Sequence, residues 1–236
     1  MSLFIGEFTG TALLIILGDG VVANVLLNKT KGNNGGLIAI TFGWAIAVFI
    51  GVFTAISLGG KAHLNPAVTI AFAAIGKIEW SLVATLIVAQ MLGAMSGALI
   101  VWVTYRQHFE ETNDAAVQLA VFCNAPAIRS TPNNLLTEIT GTFVLIFAAL
   151  NIAAPASSMG ALNAIPVAFI VLGIGLSLGG PTGYAINPAR DLGPRIMHFI
   201  LPIKGKGNSD WRYSWIPVVG PIIGGLIAAY LFNAIA

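Results

Sequence analysis

The sequence predicts an all-α polytopic membrane protein, with six transmembrane helices plus two re-entrant half-helices in an inverted 3+3 repeat. Three observations carry this. Apolar residues make up 57% of the chain and charged residues only 8%, whereas a soluble domain carries about 25% charged residues. Several segments stay apolar for about the 20 residues that a helix needs to cross a hydrocarbon core. The tripeptide Asn-Pro-Ala occurs twice, at Asn65-Pro66-Ala67 and at Asn187-Pro188-Ala189, each opening an apolar run too short to span. Two matching interrupted segments are a sequence pointer to a site at the bilayer midplane.

The spans are expected at about 3–27, 37–58, 80–105, 134–153, 161–178 and 213–236. The first is expected to stay in the mature chain, because Met1 to Phe8 lacks a basic n-region and carries Glu7. The short runs at 65–76 and 187–200 reach only about 20 Å as helix, roughly half a membrane with its interface. A single channel domain, 1–236, divides into halves at about 1–105 and 133–236. The stretch 106–132, with Glu110, Glu111 and Asp114, reads as an exposed loop linking them.

The halves repeat each other. Glu7-Phe-Thr-Gly-Thr-Ala-Leu-Leu-Ile-Ile matches Glu138-Ile-Thr-Gly-Thr-Phe-Val-Leu-Ile-Phe, and Gly93 corresponds to Gly224. Each half holds an odd number of spans, so the second must enter the membrane in the opposite sense. The small residues at Gly93, Gly97, Gly220, Gly224 and Ala228 have the spacing that lets helix backbones approach closely.

Proline suits the first turn of a helix, where its missing N–H costs nothing, and asparagine is a good N-cap. Each Asn-Pro-Ala therefore starts a half-helix capped by its asparagine. The segments before them, 60–64 and 180–186, are expected to be extended, a backbone tolerated at membrane depth only where protein buries it or it lines a watery cavity. Two half-helix N-termini facing each other put roughly half an elementary charge each at the midplane, a barrier to cations and protons. The Asn65 and Asn187 amides can then donate to one passing oxygen, and extended carbonyls supply acceptors. Such a site conducts neutral hydrogen-bonding solutes.

The motifs HLNPAVT and NPARD, in this arrangement, resemble those of the major intrinsic protein family, the aquaporins and glycerol facilitators, over nearly the whole chain from Glu7 to about Phe232. The resemblance implies an aquaporin-like fold with one pore per subunit, a homotetramer, and passive permeation without enzymatic activity. It implies a narrow outer filter at Trp44, Gly175, Tyr184 and Arg190, with Phe42 in place of Trp44 if the second-span register slips. It also implies pore-lining carbonyls at Lys61, Ala62, His63, Gly183, Tyr184 and Ala185. A strict water channel of the family typically has histidine where Gly175 stands. Glycine leaves room, Trp44 and Tyr184 offer an apolar wedge to a polyol, and Arg190 can take its hydroxyls. Asp191 is the residue that glycerol facilitators usually carry after the arginine; a carboxylate favourable to the half-helix dipole is an equal reading. The implied solutes are glycerol and water. Undissociated lactic acid, urea and dihydroxyacetone are alternatives, as is a mainly water-selective pore.

Glu7 and Glu138 stand at matching places inside spans. An intramembrane carboxylate suggests proton coupling by default; the resemblance implies instead that both accept hydrogen bonds from the re-entrant loops. His63 has a bracing or a gating reading, while His108 and His198 read as peripheral. Lys61 occupies a loop position where a small residue is expected, and Asp19 puts a carboxylate in the first span without an evident role. No basic run exists to bind nucleic acid, and no cofactor or metal site is expected. Cys123, the single cysteine, reads as a bland loop residue and excludes an intrachain disulfide. The resemblance places the chain in the plasma membrane with a cytoplasmic N-terminus. The positive-inside rule points the other way, because only Lys61 and Lys77 would then face the cytoplasm; Arg190 and Arg195 belong to the re-entrant segment and do not count.

Overall fold

The computed structural model describes residues 2–152 and 157–235. The expected span ends at 153 and 236 lie outside these residues. Among the described residues, six helices are long and apolar enough to cross a membrane. They are α1 (Leu3–Leu26), α2 (Gly36–Ser57), α4 (Trp80–Glu110), α6 (Thr131–Leu150), α7 (Ile165–Thr182, entered through a 3-10 turn at Gly160–Ala164) and α9 (Ile216–Ile235). Two shorter helices, α3 (Pro66–Ala74) and α8 (Pro188–Ile200), begin at the Asn-Pro-Ala copies.

Helix α1 packs on α2 and α4, as α6 packs on α7 and α9; α3 crosses to α9, as α8 crosses to α4. These pairings are the spatial form of the repeat. Each half thus seats its half-helix against the other half. At the tightest crossings a side chain has no room. A Cβ on Gly93 would collide with the Phe8 carbonyl, and one on Gly224 with the Ile139 carbonyl. Backbone approach supplies contact where lipid removes the hydrophobic drive between helices. Ile38, Phe42, Ile46, Val103 and Phe169 remain exposed on the outside, as lipid-facing residues do.

Three expectations need correction. The connector is not simply exposed: it holds α5 (Ala115–Phe122), and Phe109, Gln118, Leu119, Val121 and Phe122 are buried. Its acidic residues obscure this in the sequence. Asp114 in fact caps α5, accepting from the Ala116 and Val117 amides at 2.9 and 3.1 Å. Helix α7 continues through Pro181 to Thr182, so the segment free of helix there is only 183–187, and left-handed residues interrupt both it and 60–64 in place of a continuous extended run. His198 is buried rather than peripheral, and Cys123, at the C-terminal end of α5, is buried as well. The His198 Nδ1 lies 2.9 Å from the Ser209 hydroxyl, and its ring meets Phe122 edge-on.

Candidate functional site

The two half-helices meet through their caps. Asn65 Oδ1 accepts from the Ala67 amide at 2.9 Å, and Asn187 Oδ1 accepts from the Ala189 and Arg190 amides at 3.0 and 3.2 Å. Each asparagine also reaches across the pseudo-symmetry. Asn65 Nδ2 donates to the Ile186 carbonyl and Asn187 Nδ2 to the Leu64 carbonyl, both at 2.8 Å. A side-chain amide has two N–H donors, so each asparagine keeps one for a solute. Pro66 and Pro188 occupy the first helical turn, and Ala67 and Ala189 are buried behind the caps.

The loops leading to the caps are held by the two repeated glutamates. Glu7 accepts from the His63 amide at 3.0 Å, and from the Leu64 amide and Gln90 Nε2 at 2.9 Å each. Glu138 accepts from the Thr182 hydroxyl, the Ala185 amide and the Ile186 amide at 2.7, 3.1 and 2.8 Å. Both carboxylates are buried. These bonds engage the N–H groups of His63, Leu64, Ala185 and Ile186 inside the protein. Ala62 and Leu64 have φ of 58° and 50°, and Tyr184 and Ile186 have 44° and 42°. Left-handed backbone at non-glycine residues costs roughly 1–2 kcal/mol each and persists only when its surroundings over-determine it. The carbonyls of Lys61, Ala62, His63, Gly183, Tyr184 and Ala185 accept no protein hydrogen bond among the described residues, whereas those of Leu64 and Ile186 are taken by the asparagines. His63 Nδ1 lies 3.1 Å from the Thr69 hydroxyl, which also receives Gln90 Nε2 at 3.0 Å. That network braces the loop from behind.

A cavity of about 350 Å³ is lined by Lys61, Ala62, His63, Tyr184 and Ala185 of the two loops, whereas Gly183, expected to line it, does not. Ile56, Lys61 and Ile152 border one end, Asn65 and Asn187 the middle, and Trp44, Tyr184 and Arg190 the other end. The Arg190 guanidinium lies over the Trp44 ring, 4.1 Å from its centroid. Phe42 is exposed on the outer surface, so the second-span residue facing Arg190 is Trp44. Gly175 stands differently from the expectation. A Cβ there would meet Tyr184 Cζ at 2.8 Å and collide with the Thr41 methyl, and one on Gly179 would meet Tyr184 Cδ1 at 2.7 Å. The two glycines form a seat on α7 that the tyrosine ring fills. The room left by Gly175 goes to Tyr184 and not directly to a solute.

Several residues of the site escaped sequence reasoning. Asp191 is not merely near a helix dipole. Its Oδ1 accepts from Arg195 Nε at 2.8 Å, and its Oδ2 from the Asn124 amide at 2.8 Å and Arg195 Nη2 at 3.0 Å. Arg195 also donates to the Ser209 and Asn124 carbonyls at 2.7 and 2.8 Å. This buried clamp ties α8 to the connector, and the i,i+4 spacing of Asp191 and Arg195 was the available signal. Asp19, without an account in the sequence, lies 3.6 Å from Arg190 Nη1.

A membrane bundle of six spans, with two capped half-helices meeting along a cavity that both re-entrant loops line, defines a pore-forming membrane protein. The model of the family described as major intrinsic protein matches residues 1–232. The chain is 57% identical over 233 residues to a probable glycerol uptake facilitator protein of Thermotoga maritima, covering 99% of both chains. It is 51% identical over 231 residues to glycerol uptake facilitator protein 3 of Lactiplantibacillus plantarum, covering 98% of this chain and 95% of that one. The X-ray structure of the aquaglyceroporin from Plasmodium falciparum superposes with a TM-score of 0.88 at 30% identity, covering 99% of this chain and 95% of that one. The chain belongs to the major intrinsic protein family.

Proposed function

We propose that this chain is a passive channel for glycerol, water and other small uncharged solutes, with no catalytic step. The observation that carries the reading is the end of the cavity at Trp44, Tyr184 and Arg190. Two aromatic side chains line it beside one guanidinium, which lies over the Trp44 ring. A polyol has a carbon edge and a hydroxyl edge, and such a constriction satisfies both. The carbonyls of Lys61, Ala62, His63, Tyr184 and Ala185, residues that line the cavity, then take the hydroxyl protons in turn, and the spare N–H groups of Asn65 and Asn187 receive an oxygen at the midplane. A cation would have to shed its hydration there, at a cost that no carboxylate lining the cavity among the described residues offsets. Cations also meet the two half-helix N-termini. The similarity to glycerol uptake facilitators supports glycerol as the leading solute.

Glu7 and Glu138 act as structural acceptors in this reading. The channel works in the plasma membrane as a homotetramer, with its N-terminus in the cytoplasm and the Trp44–Arg190 constriction toward the outside. Stopped-flow light scattering on proteoliposomes tests the function. A glycerol gradient should give shrinkage followed by reswelling as glycerol enters, at a rate indifferent to an imposed pH gradient. Shrinkage with no protein-dependent reswelling would reject glycerol and favour a water-selective pore. Reswelling driven by the pH gradient would favour a proton-coupled carrier. Urea, dihydroxyacetone and lactic acid in the same assay rank the alternatives.

A further inference from the structure

The Arg190 guanidinium has a back wall that none of the four expected filter residues supplies. It comes from the first span. Gly18 and Asp19 sit side by side on α1, both buried. A Cβ on Gly18 would collide with three atoms of the Trp44 ring, so glycine there lets the indole lie flat against α1. One residue on, Asp19 Oδ1 lies 3.6 Å from Arg190 Nη1, and Asp19 is the only carboxylate within 4 Å of that guanidinium among the described residues. The neighbouring Asp191 is engaged by Arg195. Neither Asp19 oxygen receives a hydrogen bond from a protein donor among the described residues. A buried carboxylate is costly unless paired, and here its one cationic neighbour is the arginine at the constriction. The Phe122 carbonyl completes the seat, accepting from the same Nη1 at 3.5 Å. The guanidinium thus lies over the aromatic ring while the carbonyl and the carboxylate both approach its Nη1.

We propose that Asp19 is a specificity-determining positioning residue: it fixes the Arg190 guanidinium against Trp44 and offsets its charge, so that the constriction passes uncharged hydrogen-bonding solutes without drawing in anions. The charge matters because the half-helix N-termini already make the pore attractive to anions. An unopposed arginine at the narrow end would add a full positive charge to that path. Asp19 removes the net charge while leaving the remaining guanidinium N–H groups to hydroxyls. The inference rests on the proposed constriction at Trp44, Tyr184 and Arg190.

The experiment compares the parent with Asp19→Asn, Asp19→Ser, Arg190→Gln and the Asp19→Asn/Arg190→Gln double variant in proteoliposomes. Glycerol and water permeabilities come from light scattering. Chloride entry comes from an entrapped halide-quenched dye, with potassium and valinomycin carrying the compensating charge. Asp19→Asn keeps the shape and Asp19→Ser relieves any crowding, so failure of one to fold leaves the other to report. Both should shift the glycerol-to-water ratio by about 3-fold or more, within the range of coupling between residues in contact. Both should also open a chloride leak, and the double variant should abolish it. Uncharged variants that keep the parent's ratio and admit no chloride, while Arg190→Gln changes the ratio, overturn the role of Asp19 alone. If Arg190→Gln also leaves the ratio unchanged, the constriction itself is misplaced. A chloride leak that persists in the double variant shows that Asp19 does not act through Arg190, and overturns the proposal.

Discussion

Removing the acceptor at Glu138 is the sharpest test of how the second loop is held. Glu138 receives one hydroxyl and two amide hydrogen bonds, all buried. Glu138→Leu leaves three donors without a partner. At about 1–3 kcal/mol for each orphaned buried donor, the cost is roughly 3–9 kcal/mol, against a total stability of about 5–15 kcal/mol for a typical fold. Glu138→Gln is the informative variant. Its single carbonyl oxygen can keep the Thr182 and Ala185 bonds, but its NH2 then faces the Ile186 N–H, donor against donor. One orphaned amide and two bonds that lose their charge assistance cost about 2–5 kcal/mol. For a chain of this size that is a fall in Tm of roughly 5–20 °C, measured by circular dichroism in detergent. The loop also carries Tyr184, whose φ of 44° depends on its neighbours being pinned. Glycerol flux per molecule should therefore fall with stability. A Glu138→Gln protein that melts with the parent, yet loses a pH-driven component of flux, would refute the structural role and restore the proton-coupled reading.

Three other substitutions probe separate parts of the site. Gly175→His must displace the Tyr184 ring from its seat, at a strain of about 1–3 kcal/mol. Light scattering should show glycerol flux falling well below water flux, and an equal fall in both would mean that Gly175 does not govern the constriction. Phe42→Ala should leave glycerol and water permeability unchanged, because that ring lies on the outer surface. Trp44→Ala should lower the discrimination between the two solutes, since it removes the face on which Arg190 lies. Asp191→Asn breaks a buried pair with Arg195, a change that typically costs about 3–5 kcal/mol. It should lower Tm while the parental solute ranking survives in the fraction that folds.

The fold was legible because the bilayer makes sequence patterns blunt. Every backbone polar group inside it must be satisfied within the chain, so spans and interrupted spans stand out. The doubled Asn-Pro-Ala and the paired Glu7 and Glu138 were readable for a related reason: a polar residue repeated inside apolar segments has few structural explanations. Residues whose roles depend on packing across the fold were not readable. Gly175 looks like open space until Tyr184 is seen lying across it. Asp19 is a lone carboxylate until α8 brings Arg190 to within 3.6 Å. The connector resembled a polar loop because its charges are prominent, while its buried work is done by Gln118, Phe122 and Asn124, three residues with no periodic signal. Gln118 donates to the carbonyls of Phe109, Thr112 and Lys204, a contact set that no local pattern could indicate.

The two halves divide the work of the pore. What they share is the frame: a capping asparagine, a glutamate behind each loop, and left-handed residues within each loop. A pore built from that frame alone would have two equivalent halves and a positive midplane. It could reject cations but would have little means of ranking neutral solutes, because the polar groups it offers them would be backbone carbonyls and two identical asparagine amides. Ranking requires side chains, and these break the symmetry. Arg190 follows the second Asn-Pro-Ala where the first has Val68. Tyr184 lies on α7 through two glycines, and Trp44 supplies the facing wall. The first half answers on the other side of the arginine with Gly18 and Asp19. Cation exclusion is thus a property of the repeat, and solute choice a property of its exceptions. Substitutions in the paired glutamates and asparagines should therefore damage stability and flux together. Changes confined to Asp19, Trp44, Gly175 and Arg190 should move the ratio between solutes, and a selectivity shift from altering Glu7 as large as one from altering Trp44 would contradict this division.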